Sequence, residues 1–126
     1  MVNLPSKQVR VHIMDLKSHL VFQYSQNVHI PDSDYNSCIQ CAAEGIVTAI
    51  QKFGIDGQQL CGIILCGDGI VDSTHGVIRY SVHHHWPRNL PVLKDFSSLL
   101  PFSVPVYIEN GGALTGYADL LDPENQ

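Results

Sequence analysis

The sequence predicts an α/β domain, a mixed sheet with helices on its faces. Three features carry that prediction: two alternating segments at the start, one long amphipathic helix after them, and a nearly all-apolar run beyond the helix. At 126 residues the chain has the length of one domain.

Gln8-Val-Arg-Val-His-Ile-Met-Asp15 places Val9, Val11 and Ile13 between polar neighbours, the two-residue period of a half-buried strand. Lys17 and Ser18 suit a turn, and Leu20 to Val28 then returns as the second arm of an antiparallel hairpin. Pro31 stops the chain, and Ser33 or Asp34 can cap a helix starting there. From about Tyr35 to Phe53, residues Ile39, Ala42, Ala43, Ile46, Val47, Ile50 and Phe53 recur every three or four positions, so one helical stripe is apolar. Gly54 is placed to end that helix from a left-handed conformation.

Leu60-Cys-Gly-Ile-Ile-Leu-Cys66 is apolar on both parities, as a strand covered on both faces would be. A glycine-bounded loop, Gly67 to Gly76, leads to a short strand, Val77 to Ser81. The His83-His-His-Trp-Pro stretch is irregular. Asn89 is a candidate cap for a short helix reaching Leu100, with Pro91 in its first turn. Val104 to Ile108 reads as a strand whose Pro105 belongs near its start or on an edge. Glu109-Asn-Gly-Gly then opens a last helix, about Ala113 to Leu121, before a polar tail.

Composition narrows the function classes. Hydrophobic residues at 44% and charged residues at 15% are globular values. No apolar stretch nears the roughly 20 residues that cross a bilayer, and residues 1–10 have no apolar secretory core. A cytoplasmic protein without membrane contact is expected. Net charge is −5, and the seven Lys and Arg residues form no run that would match a row of phosphates. DNA contact is expected only through a domain outside this chain.

Cys38-Ile-Gln-Cys41 has zinc-knuckle spacing, but it lies within the helical stripe, where no knuckle turn forms. Cys61 and Cys66 sit five positions apart, on opposite faces of a strand. Structural thiols are expected, and no metal site. The His83–His85 run reads as a surface loop, since three consecutive side chains do not readily meet one ion. Asp68 and Asp72 can line a cleft or build turns.

From Gly62 onward the order of residues resembles the ROK family of bacterial sugar kinases and sugar-responsive repressors. Gly62-Ile-Ile-Leu-Cys-Gly-Asp-Gly-Ile-Val-Asp-Ser-Thr-His-Gly-Val-Ile78 is similar to the family's hydrophobic strand, its Pro-Gly-Ile-Val-Asp and its turn ending in Gly-Val-Val. Trp86, Asn89, Leu90 and Pro91 resemble its Trp-Arg-Asn-Val-Pro stretch, and Val104 to Asp119 its Leu-Pro-Val-Tyr-Val-Glu-Asn-Asp segment and following helix. The hairpin with Met14-Asp-Leu-Lys resembles the second and third strands. The resemblance implies the N-terminal lobe of the ribonuclease H-like, actin-like ATPase fold.

Two departures bear on chemistry. A family kinase opens with Asp-x-Gly-Gly-Thr, whose backbone N–H groups cradle phosphate. Here Met1 to Lys7 holds no such turn, and the first glycine is Gly45. The family's Glu-Asn-Asp supplies a catalytic Asp, and Gly111 stands in its place. No catalytic residue and no cofactor are therefore expected. Asn110 carries over as a sugar contact, and it equally suits the cap of a following helix. Glu109, Gly69 and His83 complete the implied sugar-binding set. The expected function is the effector-binding portion of a ROK-type regulator, taking a sugar or sugar phosphate. The alternative is an N-terminal fragment of a family sugar kinase. An isolated lobe leaves apolar surface open, so a homo-oligomer is expected.

Overall fold

The computed structural model describes residues 1–5, 7–15, 17, 19–31, 33–81 and 84–110. The final helix expected from about Ala113, Gly111 and His83 lie outside the described residues. Chain order is β1 (Val2–Asn3), β2 (Gln8–Met14), β3 (Leu20–Asn27), α1 (Tyr35–Lys52), a 3-10 turn (Gly57–Gln59), β4 (Ile63–Gly67), β5 (Ile70–Asp72), β6 (Val77–Tyr80), α2 (Val92–Ser98) and β7 (Val106–Asn110).

Five strands form one sheet in the order β3-β2-β1-β4-β7. β2 is antiparallel to both neighbours, while β1, β4 and β7 run parallel. The hairpin pairs Val9 with Gln26, Val11 with Tyr24 and Ile13 with Phe22, so the alternation read in the sequence sets one face of each strand against α1. Asp34 caps α1 by accepting the Ser37 N–H at 3.1 Å, a bond worth about 1 kcal/mol. Gly54 comes just after the helix at φ +69°, the left-handed end that its position predicts.

The core lies between α1 and the sheet. Cys38, Ile39, Ala42, Ala43, Ile46 and Ala49 meet Val2, Val9, Val11, Ile63 and Leu65. Val92 and Phe96 of α2 close it beside Ile78 and Ile108, and Tyr35 of α1 donates to Asp95 of α2 at 2.7 Å. Each large aliphatic side chain buried this way contributes roughly 1.5–3 kcal/mol.

The structure departs from the sequence expectations at several places. β1 has no signature in the sequence: two residues are too few to show a period, yet they occupy the centre of the sheet. β4 starts at Ile63 rather than Leu60, because Asp56 caps the 3-10 turn and takes Gln59 in a capping box. Its Ile64 and Cys66 are only half-buried, so among the described residues this strand is fully covered on one face. β5 lies within the expected loop, and pairs with β6 as a two-stranded ribbon. Asn89 does not cap α2. It sits at φ +59°, a conformation Asn tolerates, and its N–H goes to the Arg79 carbonyl, while Pro91 takes the cap position with no side-chain bond.

Candidate functional site

The carboxyl ends of the parallel strands β1, β4 and β7 open on one edge of the sheet, where open α/β sheets take ligands. β4 ends at Gly67 beside Asn110 of β7, and Cys66 pairs with Glu109. The β5–β6 ribbon leaves β4 through Gly69 and folds beside this edge.

Gly69 and Asn110, forty-one positions apart, are brought together: the Asn110 side-chain amide donates to the Gly69 carbonyl at 3.1 Å. Glu109 is exposed and accepts from the Ser73 hydroxyl at 3.3 Å. Gly69 has φ +78°, and a Cβ there would run into the Tyr80 carbonyl, so only glycine lets the ribbon cross this closely.

Beneath the ribbon lies a polar cluster that the sequence does not reveal. Ser81, 6% exposed, donates to both oxygens of Asp68 at 3.0 and 3.1 Å. His84 places Nδ1 3.2 Å from Asp68 Oδ1 and 3.3 Å from Ser81 Oγ. Ser, His and Asp in contact suggest a nucleophilic triad, but a triad uses both imidazole nitrogens in series. Here one nitrogen faces both partners, and the serine is buried. The cluster therefore holds the loop in place rather than activating a hydroxyl. Its only trace in the sequence is the Asp at position 68, thirteen residues from Ser81.

His84 is not the surface residue that its triplet predicts. Its side chain is 9% exposed and stacks on Trp86 with ring centroids 4.0 Å apart. Trp86 in turn meets Tyr35 edge-on at 5.3 Å. Two buried nitrogens of this stack, His84 Nε2 and Trp86 Nε1, have no hydrogen-bond partner among the described residues. An unsatisfied buried polar atom costs about 1–3 kcal/mol, so the site retains unused hydrogen-bonding capacity.

Asp72 does what a turn aspartate does, accepting the His75 N–H at 3.1 Å, and it also holds Arg79 at 2.7 Å. The Arg79 hydrogen bond first, then those from His75, pull its carboxyl down from 3.8 to about 2. A carboxylate whose folded value is depressed stabilises the fold above its ordinary value, and that contribution is lost as pH falls from about 4 toward 2. Carbon-detected NMR titration of Asp72 is expected to give a midpoint near 2, rising in Arg79→Gln toward the ordinary carboxylate range. An unchanged midpoint would remove Arg79 as the cause.

All four cysteines are free thiols. Cys38, fully buried, donates to the Pro5 carbonyl at 3.1 Å, and burial pushes its pKa up, while Cys61 is exposed. Among the described residues no three His, Cys, Asp or Glu side chains converge as metal ligands would. None of the described helices is long and apolar enough to cross a membrane.

The fold has solved counterparts. A ROK-family transcriptional regulator, a homologue of the Escherichia coli Mlc protein, superposes over 99% of this chain with TM-score 0.72 and 17% identity. A ROK-family glucokinase from Streptomyces griseus, solved with glucose and AMPPNP, covers 86% with TM-score 0.62 and 17% identity. A ROK hexokinase from Thermus thermophilus covers 86% with TM-score 0.61 and 20% identity. The chain spans 30% to 33% of the length of these structures. No family model matches the sequence, and no curated protein does. At these identities the likeness establishes the fold alone, a mixed α/β domain like the matching part of these structures.

Proposed function

We propose that this domain is the effector-binding part of a sugar-responsive transcriptional regulator, which binds a sugar or sugar phosphate without phosphorylating it. The observation that carries the reading is the turn between β1 and β2. Leu4 and Pro5 are buried there, the Leu4 N–H goes to the Cys66 carbonyl at 3.2 Å, and Pro5 has no N–H to give. A phosphate cradle needs free, converging N–H groups, and among the described residues of this turn Leu4 and Pro5 do not supply them. The regulator structure also superposes more closely, with TM-score 0.72 against 0.61 to 0.62 for the kinases, one of which covers the chain equally, at 99%.

A polyhydroxylated ligand suits the carboxyl edge of the sheet. Asn110, Glu109 and the Asp68–Gly69 turn offer donors and acceptors at its rim, and His84 packs its Nδ1 against Asp68. DNA contact falls to a domain outside these residues. A kinase fragment is the second reading, favoured by the likeness to the glucokinase and the hexokinase.

Calorimetry against hexoses, N-acetylhexosamines and their 6-phosphates tests the ligand class. Binding is expected to be weak, because one lobe leaves a face of the ligand in water. Asn110→Ala is expected to weaken it about tenfold, the size of one lost polar contact. Absence of binding across the panel, or an unaffected variant, would refute the sugar reading. ATP that tightens sugar binding would favour the kinase fragment.

A further inference from the structure

The donors of the Asp68, Ser81 and His84 cluster leave one arrangement of its protons. A carboxylate has none to give, and the single Ser81 hydroxyl proton is shared between the two oxygens of Asp68. His84 Nδ1, 3.2 Å from Asp68 Oδ1, therefore carries a proton of its own and donates it. In the neutral ring Nε2 is then the bare nitrogen, the one that a further proton takes. The backbone is tied into the same cluster, since the His84 N–H donates to Ser81 Oγ at 3.1 Å.

Charging this ring acts first on Asp68. A hydrogen bond from an imidazolium to a carboxylate is roughly twice as strong as one from the neutral ring. The Trp86 indole lies against the ring face, with centroids 4.0 Å apart and 17° between the planes, and an aromatic face favours a cation. Burial opposes the charge: the His84 side chain is 9% exposed, and Nε2 has no partner among the described residues. Burial and stacking set the pH at which the ring charges. The contact with Asp68 sets the direction of the effect, because the charged ring holds the carboxylate harder.

The groups that face the cluster from the helices do not compete with it. Tyr35 of α1 meets Trp86 edge-on and donates to Asp95 of α2, and the Cys38 thiol of α1 feels the charges of Asp68 and Asp34. Burial pushes the pKa of both Tyr35 and Cys38 up, so neither changes charge between about pH 5 and 8, where histidines do. His85, next in the chain, is exposed. Asp68 runs straight into Gly69, whose carbonyl takes the Asn110 amide at 3.1 Å and whose φ of +78° sets it tight against Tyr80. A pull on Asp68 therefore reaches the rim of the edge.

Building on the reading of this edge as a ligand site, we propose that His84 is a proton-responsive positioning residue for it. Charging the ring firms the Asp68–Gly69 turn against Asn110, so a ligand at the edge is held more tightly as pH falls. A turn already held in place loses less freedom when the ligand arrives. The domain then answers sugar and acidity together.

Two measurements on the folded chain test this. In the first, without ligand, NMR follows the His84 ring, the Gly69 amide and the Asn110 side-chain amide from about pH 8 to about pH 5.5. The Gly69 and Asn110 signals are expected to move in step with the ring, and to stay still in His84→Asn. Asparagine places an amide nitrogen where Nδ1 was, so it keeps a donor to Asp68 and removes the titrating ring. In the second, calorimetry uses glucose and N-acetylglucosamine, neutral sugars with no group that titrates in this range. Binding is expected to be about fivefold tighter at the lower pH, the difference between a charged and a neutral hydrogen bond. His84→Asn should lack this dependence. Gly69 and Asn110 signals that ignore the His84 ring would overturn the proposal. So would affinity that is flat or weakens as pH falls, or an unchanged pH dependence in His84→Asn. Failure of both sugars to bind at any pH would instead refute the sugar reading, and the ligand-free titration then decides the role of His84 by itself.

Discussion

Incubated with ATP and any common hexose, the chain is expected to form no sugar phosphate above background. Phosphoryl transfer depends mainly on positioning the phosphates and neutralising their charge. The resemblance to the family's kinases would put that task at the turn from β1 into β2. Leu4 and Pro5 are buried and inward-looking: the Leu4 N–H is spent on β4, Pro5 has none, and the Pro5 carbonyl is taken by the Cys38 thiol. The general base is missing from the sequence as well, with Gly111 where the resemblance implies an aspartate. Base assistance alone is worth roughly 100- to 10,000-fold. Gly111→Asp is therefore expected to stay inactive, because the restored base would have no held phosphate to work with. Product detected by a coupled or chromatographic assay, in the chain or in that variant, would sink the regulator reading. No product with sugar binding retained is the result an effector domain predicts.

How far the sequence discloses this arrangement varies with the length over which a signal repeats. The hairpin and α1 are legible because seven or more residues each carry one period, and β4 because its run is almost wholly apolar. β1 is not, since two residues have no period and its place is set by pairing with Val11 and Leu65. The ribbon is half-legible: β6 alternates, but β5 is three residues long and hides among glycines and aspartates that equally suit a loop. At the site, the family-like Gly69 and Asn110 prove to touch. The Asp68, Ser81 and His84 cluster stays hidden because the ribbon closes it across the chain, and because a histidine triplet reads as solvated until one ring finds a tryptophan to stack on. Gly76 turns the ribbon and Asn89 pairs alongside β6, both at positive φ, and only the glycine advertises itself.

Gly69→Ala is expected to destabilise the fold far more than Gly54→Ala, although both replace a glycine at positive φ. Gly54 has φ +69° and nothing within 4 Å of an added Cβ, so alanine there meets only the left-handed penalty of about 1 kcal/mol. At Gly69, φ +78°, the same methyl group meets the Tyr80 carbonyl and lies 3.1 Å from the Ser81 Cα, which are backbone atoms that cannot swing aside. The ribbon must move, and Ser81 then leaves Asp68 while the Gly69 carbonyl leaves Asn110. A loss of about 3 kcal/mol is expected, in the range where strain and a broken polar network combine. Urea unfolding of the two variants beside the parent measures the difference directly. Because the moved groups are the proposed ligand contacts, Gly69→Ala should also abolish sugar binding at temperatures where it is still folded, while Gly54→Ala keeps it. Equal destabilisation of the two variants, or full binding by folded Gly69→Ala, would mean that the close crossing at Gly69 does not shape the site.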